Sequence, residues 1–384
     1  MKHIKLTAIL LSLLSIASCS SDSSSETSDA SDVNAIIATV AADFSSGAHT
    51  VISKDENDSR IAFNELVPTD SDITIAAFGK HFYRIERAFA GNNITKFASS
   101  DPQTPIWQYS TNDIGSAVLS NPHDMIFVSE EKAYVLRYGS DTAWIVNPSA
   151  ATEADFKIGE IDLSAYDGTD GIPEMDSGVV VGDRLYITLQ RLDGFAVTQN
   201  AYIAIIDVTT DAEIDANIAG DLLKGIPLQT RNPTNIVYEA GLNVIYVQGS
   251  GSFFPEEYTG GIEKIDLVNL SSTVILDDGD DVNHPYGLIT ELAVVSDSIL
   301  YFVGYDGFTD NTLYKLDLAT AVITATTVTS LVNGQMANLA TDSSGLLWVS
   351  DSANATVRII DPVTDTEIDA LATNLNPEKI VFTE

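Results

Sequence analysis

The sequence predicts an all-β fold, a β-propeller, from three observations. A short apolar strand with an aromatic near its middle recurs six times, a loop and a second apolar strand follow each copy, and no segment between them keeps a helical period. The aromatic strands are His81-Phe82-Tyr83, Ala133-Tyr134-Val135, Leu185-Tyr186-Ile187, Ile245-Tyr246-Val247, Leu300-Tyr301-Phe302 and Leu347-Trp348-Val349, with steps of 51, 52, 60, 55 and 47 residues between aromatics. Antiparallel meanders repeated about every 50 residues suit propeller blades, in which each sheet buries both faces against its neighbours.

The elements of a blade can be placed in order. The second strands end at Ile94-Thr95-Lys96-Phe97, Trp144-Ile145-Val146-Asn147, Ile205-Ile206-Asp207, Lys264-Ile265-Asp266, Lys315-Leu316-Asp317 and Ile359-Ile360-Asp361. Aspartate at a strand end accepts hydrogen bonds from backbone amides two or three residues on, so Asp207, Asp266, Asp317 and Asp361 read as turn formers. Gly182-Asp183 and Asp306-Gly307 mark further turns. Asn121-Pro122, Ile172-Pro173, Asn232-Pro233, His284-Pro285 and Asn376-Pro377 each introduce a repeat, and the last opens a blade with a single strand, Lys379 to Thr383. Two strand-like runs near the start, Ala35 to Ala42 and His49 to Ser53, are available to complete it. The expected architecture is seven four-stranded blades, with the C-terminal strand closing against N-terminal strands. Six- and eight-bladed counts are the alternatives, because the first repeat lacks the proline turn.

Composition excludes several functions. The chain has 384 residues, is 45% apolar and carries a formal charge of −36, so phosphate backbones and anionic head groups are repelled and no nucleic-acid partner is expected. Its one cysteine excludes intramolecular disulfides and thiolate metal clusters. Lys2 and Lys5 precede a short apolar run from Leu6 to Ala17, too short for a mature span and suited to a signal peptide over residues 1–18. The next residues, Ile16-Ala17-Ser18-Cys19, resemble a bacterial lipobox, which implies lipidation of Cys19, a membrane anchor and, with Ser20 following, an outer-membrane location, periplasmic-facing or cell-surface. Residues 19–32 are rich in Ser, Asp and Thr and read as a tether, and residues 33–384 as one propeller domain.

The last repeat, from Leu347-Trp348-Val349-Ser350-Asp351 to Val357-Arg358-Ile359-Ile360-Asp361-Pro362, resembles the YVTN-type propeller repeat. Together with the lipobox and acidic tether, the chain resembles surface propeller lipoproteins that accompany TonB-dependent transporters. That resemblance implies capture of a small ligand such as cobalamin or a ferric siderophore, and such a transporter as partner. It identifies no ligand.

In a propeller with strand A innermost and D outermost, the B–C loops and the D–A connections share one face, the mouth, where functional residues sit on a rigid frame. Blades three, four and five have long B–C insertions there. Arg84, Arg87, Arg137, Arg191 and Arg231 fall at B-strand ends or in D–A turns, and Tyr138, Phe195, Phe253, Phe254, Tyr258, Tyr286, Tyr305 and Phe308 join them. Arginines with aromatic walls suit a planar or polyanionic small ligand, so the expected ligand-binding set is Arg84, Arg87, Arg137, Tyr138, Arg191, Phe253, Phe254, Tyr258, His284, Tyr286 and Tyr305. The competing reading has these arginines pair locally, with Glu86, Asp124, Asp193 or Glu174, and knit the blades.

Catalytic signatures are sparse. The sequence holds no Gly-x-Ser-x-Gly elbow, phosphate-binding glycine loop or HExxH motif, and binding without catalysis is expected. No cofactor is required. Calcium is the one candidate, since the acidic stretches 277–281 and 167–176 are oxygen-rich, although neither has EF-hand spacing. Two alternatives stand beside ligand capture: a surface scaffold that binds proteins, and a lactonase-type hydrolase with a channel metal, for which Glu174, Asn235 and Asn338 are the candidate ligands.

Overall fold

The computed structural model describes residues 34–168, 170–218 and 220–383; the signal segment, Cys19 and the tether fall outside the described residues. Seven antiparallel sheets follow one another around a central channel. Blade one is Ile73–Phe78, His81–Glu86, Asn93–Ala98 and Asp101–Ser110, in the order A to D from channel to rim, and blade two is Pro122–Ser129, Lys132–Arg137, Thr142–Val146 and Lys157–Asp162. In blade three, Met175–Val181, Arg184–Leu189 and Tyr202–Asp207 are followed by an outer strand split into Ala212–Glu213 and Ile226–Pro227, both paired to strand C. Blade four is Pro233–Glu239, Val244–Gly249, Gly261–Asp266 and Ser271–Asp277; blade five is Leu288–Val294, Ile299–Tyr305, Asn311–Asp317 and Val322–Ala325; blade six is Met336–Thr341, Leu347–Asp351, Thr356–Asp361 and Thr366–Ala372.

Blade seven is composite. Its inner strand is Asn376–Phe382, and Ala35–Val40, Gly47–Lys54 and Arg60–Thr69 supply B, C and D. Ala35 pairs with Phe382 and Val40 with Asn376, so the two ends of the domain are zipped together, as the unfinished last repeat requires. The N-terminal segment gives three strands rather than the two legible in the sequence. The missed strand, Arg60–Thr69, carries Arg60, Asn64 and Glu65 and alternates between exposed and partly buried, as an outermost strand does.

The repeated aromatics hold the blades together. Tyr83, Tyr134, Tyr186, Tyr246, Tyr301 and Trp348 are all buried on their B strands, and the apolar clusters run between sheets: Tyr134, Leu136 and Ile145 of blade two pack with Ile187, Leu189 and Ile206 of blade three. The strand-end aspartates do what their position suggests. Asp207, Asp266 and Asp317 each accept two backbone amide bonds at 2.8–2.9 Å, and Asp361 accepts one at 2.8 Å. These bonds hold all four carboxyls below their ordinary range. Stitches link neighbours on the same face: Lys96, Lys132 and Lys315 donate to the carbonyls of Pro148, Val208 and Pro362, each in the next blade. The Tyr134 and Tyr301 hydroxyls donate to Asp211 and Asp365 in the same sense. Among the described residues no helix is long and apolar enough to cross a membrane.

Candidate functional site

The mouth is where the seven A strands begin and the B strands end. Backbone bonds such as Tyr138 N to Asn121 O, Gln190 N to Glu174 O and Ser250 N to Asn232 O tie each B-strand end to the connection that precedes its own blade. The proline turns of blades two, four and seven aim the residues just after them into the channel. His123 and Asp124, Thr234 and Asn235, and Glu378 and Lys379 line a cavity of about 560 Å³ with Arg87, Tyr138, Asp176, Gln190, Glu291 and Asn338.

The polar groups of this channel are engaged with one another. The His123 Nδ1 lies 3.3 Å from Asp176 Oδ2, and its ring stacks on Tyr138 at 4.0 Å. Tyr138 donates its hydroxyl to Gln190 at 2.8 Å, and Gln190 donates to Asp176 at 3.3 Å and to the Pro233 carbonyl at 3.1 Å. Lys379 faces Asp124 at 3.6 Å. On the other side, Glu291 accepts from Asn235 at 2.9 Å and from Asn338 at 3.2 Å. Burial pushes the Glu291 carboxyl up to about 8 although both amides and Lys379 oppose the shift, and pushes Glu378 up to about 7 against the pull of Arg87.

Asn235 and Asn338 thus meet, but around Glu291 and not Glu174. Glu174 is buried beneath the blade-three insertion, where it accepts from Leu192 N at 2.9 Å and burial pushes it up to about 8. Among the described residues, no three His, Cys, Asp or Glu side chains are placed to hold a metal ion, in the channel or in the acidic stretches 277–281 and 167–176.

A second cavity, of about 370 Å³, opens beside the channel, walled by Tyr138, Gln190, Leu192, Phe195, Val197, Asn232, Ser252, Phe253 and Phe254. Tyr138 and Gln190 belong to both walls, so the polar channel and the aromatic pocket share a partition. Phe253 and Phe254 ride on a small ribbon in which Ser252–Phe253 pairs with Glu256–Glu257. At its base a Cβ on Gly260 would lie 2.3 Å from the Gly249 carbonyl oxygen, so only glycine lets the ribbon fold back there. Phe195 and Phe254 are 97% and 90% exposed, open to any ligand in the pocket.

The expected aromatic residues separate into two groups. Tyr138, Phe253 and Phe254 converge on the pocket. Phe253 meets Tyr305 edge-on at 5.3 Å, and Tyr258 stacks on His284 at 4.0 Å, which extends the aromatic surface toward blade five. Tyr286 instead packs edge-on against Phe302 and Tyr314 within blade five.

The arginines do not cluster. Arg84 is buried, donating from Nε and Nη2 to Glu86 and from Nη1 to the Val67 carbonyl. Arg137 is buried over the Trp144 ring and donates to Thr111 O, Ser140, Thr142 and, at 2.6 Å, Asp113. Arg191 donates to the carbonyls of Tyr166 and Asn200, and Arg231 to that of Val197. Only Arg87, which pairs with Asp72 at 2.9 Å, also lines the channel. Arg84 and Glu86 are two residues apart on one strand, so they share a face, and the pair was readable in the sequence. Of the channel residues, Gln190, Glu291, Glu378 and Lys379 were not among the expected site residues, and Asp176 was expected only within an acidic stretch. Asp176, Glu378 and Lys379 follow a proline turn and Glu291 lies in an apolar inner strand, whereas Gln190, at a B-strand end, carries neither signal.

No protein-family model matches the chain, and no curated protein matches it. Solved structures do. A putative 6-phosphogluconolactonase from Bacteroides fragilis is 14% identical, with 93% of this chain and 99% of that chain covered and a TM-score of 0.63. The periplasmic gluconolactonase of Pseudomonas aeruginosa is 12% identical over 92% and 99%, with a TM-score of 0.60. A streptogramin B lyase is 13% identical over 83% and 91%, with a TM-score of 0.54. At such identities the likeness is one of fold, and this chain is a seven-bladed β-propeller.

Proposed function

We propose that this propeller captures a small amphiphilic ligand at its mouth, with the polar end in the channel and the apolar part against Tyr138, Phe195, Phe253 and Phe254, and performs no chemical step on it. The observation that carries the reading is the shared wall: Tyr138 and Gln190 border both a polar cavity and an aromatic one, so a ligand lying over that wall would touch both. The pairing of His123 with Asp176, Lys379 with Asp124, and Glu291 with Asn235 and Asn338 supports binding by fixing the donors and acceptors that would meet a ligand's polar end. The proposal includes attachment to the outer membrane through a lipidated Cys19, on the strength of the lipobox-like sequence alone.

A thermal-shift series on the protein from residue 33 with haem, cobalamin, a ferric catecholate, glucono-lactone and calcium tests it. A ligand at 100 times its dissociation constant stabilises the native state by about 2.7 kcal/mol. The reading expects a shift with one of the amphiphilic compounds and recovery of that compound unchanged. A shift with calcium alone, or hydrolysis of the lactone, contradicts it.

A further inference from the structure

The five B–C loops of blades seven, one, three, four and five each end in an exposed phenylalanine: Phe44 and Phe308, both 62% exposed, with Phe89 at 88% and Phe195 and Phe254 higher still. One other phenylalanine is strongly exposed among the described residues, Phe63 on an outermost strand. The opposite face has exposed aliphatic residues at its turns, Leu242, Val268 and Val363, and no exposed aromatic among the described residues. The fold does not require these side chains, since blade six closes the same loop with Ser352-Ala353-Asn354. Phe195 and Phe254 belong to the aromatic pocket, whereas Phe44, Phe89 and Phe308 wall neither cavity of the mouth. Five loops on one face that each carry a largely exposed phenylalanine, against no exposed aromatic on the other face among the described residues, suit an interaction surface.

Charge selects the partner. Asp43, Glu256, Glu257, Asp306 and Asp310 lie on the same loops, with Asp280 and Asp281 on the adjoining D–A connection. The arginines nearby are engaged, Arg87 by Asp72 and Arg191 by backbone carbonyls. Such a field repels an anionic lipid surface and also a second copy of the same face. Val40 pairs with Asn376 at the mouth and Ala35 with Phe382 at the far side, so the first described strand enters the propeller on the face opposite these loops.

We propose that the Phe44, Phe89 and Phe308 loop tips form a docking surface for a protein whose contact surface is basic and offers apolar sockets. The surface is separate from the proposed ligand pocket and does not depend on it.

The test places a photo-crosslinking amino acid singly at Phe44, Phe89, Phe308 and Val282 of the full-length chain in its native cell, with Val268 and Val363 as controls on the opposite face. The expected result is one shared protein adduct from the mouth positions, with a net basic crosslinked peptide and no adduct from the controls. Its yield falls about five-fold or more in high salt, because exposed charge pairs are screened. In the Val282 series it is lost when Phe44→Ser, Phe89→Ser and Phe308→Ser are combined, while circular dichroism and the melting temperature stay unchanged. Adducts shared by both faces, adducts to lipid, an acidic crosslinked peptide or no adduct at all would each overturn the proposal.

Discussion

The two faces of the propeller are built from the same strands and differ in almost everything else. On the face opposite the mouth, turns repeat: aspartate at a strand end accepts one or two amide bonds from residues two and three on in blades three to six, and lysine and tyrosine reach from one blade to the carbonyls and aspartates of the next. At the mouth the B–C loops range from four residues in blades two and six to twelve in blade three, and bulky side chains of the longer loops point into solvent or into cavities. The difference separates what holds the ring together from what the ring presents. Repetition marks the first, and departure from it marks the second.

The sharpest way to break this comparison is to open the ring. Removing Asn376–Phe382 leaves blade seven without its inner strand and exposes Ala35–Val40, whose residues are all buried. The expected outcome is loss of cooperative thermal unfolding, read by circular dichroism. A truncated chain that melts like the parent would show that closure contributes little.

Next in size are paired substitutions on the two sides of the comparison. Trp348→Ala removes a repeat aromatic and should cost about 3–5 kcal/mol in urea unfolding, whereas Phe254→Ala at the mouth should change stability by about 0.5 kcal/mol or less. Equal costs would erase the distinction between scaffold and presented surface.

The arginines sharpen it further. Arg137→Ala strips a buried guanidinium from Asp113, Thr111 and Thr142 and should destabilise by about 3 kcal/mol, since the groups left behind lose their partner. Arg87→Ala removes a partly exposed pair with Asp72 and should cost about 1 kcal/mol or less. Similar losses for both would place Arg87 in the framework as well.

A smaller effect separates the channel from both faces. Glu291 and Glu378 have carboxyls raised above the unfolded value, Glu291 to about 8 and Glu378 to about 7, so their protonated forms are favoured in the folded state. Their contribution is fully present below about 4.5 and is lost as pH rises through those values, because an ionised carboxylate without full solvation must then be held. Stability should decline from pH 5 to pH 8, and Glu291→Gln should flatten that slope and raise stability at pH 8 by about 1–2 kcal/mol. An unchanged slope would mean that Glu291 stays hydrated in the channel.

The same division explains what the sequence made legible. Tyr83, Tyr134, Tyr186, Tyr246, Tyr301 and Trp348 sit in short alternating strands and repeat, so burial and blade order follow from local pattern. Closure followed from the unfinished repeat at Asn376-Pro377. The aromatic half of the mouth was readable because Phe253 and Phe254 lie in an insertion that the fold does not need. The arginine cluster was not there to be read: Arg191 is held by carbonyls of its own loop and of Tyr166, and Arg231 by that of Val197, which no side-chain pattern reveals. Glu291, Gln190 and Lys379 lie far apart along the chain, and only the closed ring brings them to one cavity.

The proposed ligand spans the wall shared by Tyr138 and Gln190. The direct measurement is titration calorimetry of whichever compound among haem, cobalamin, the ferric catecholate and glucono-lactone shifts the melting temperature, against the parent, Gln190→Ala and Phe254→Ala. Each substitution should weaken binding about ten-fold or more, the equivalent of about 1.4 kcal/mol, while Phe254→Ala leaves the melting temperature of the free protein unchanged. Affinity unaltered in both variants would contradict the account, since the ligand would then lie in neither cavity.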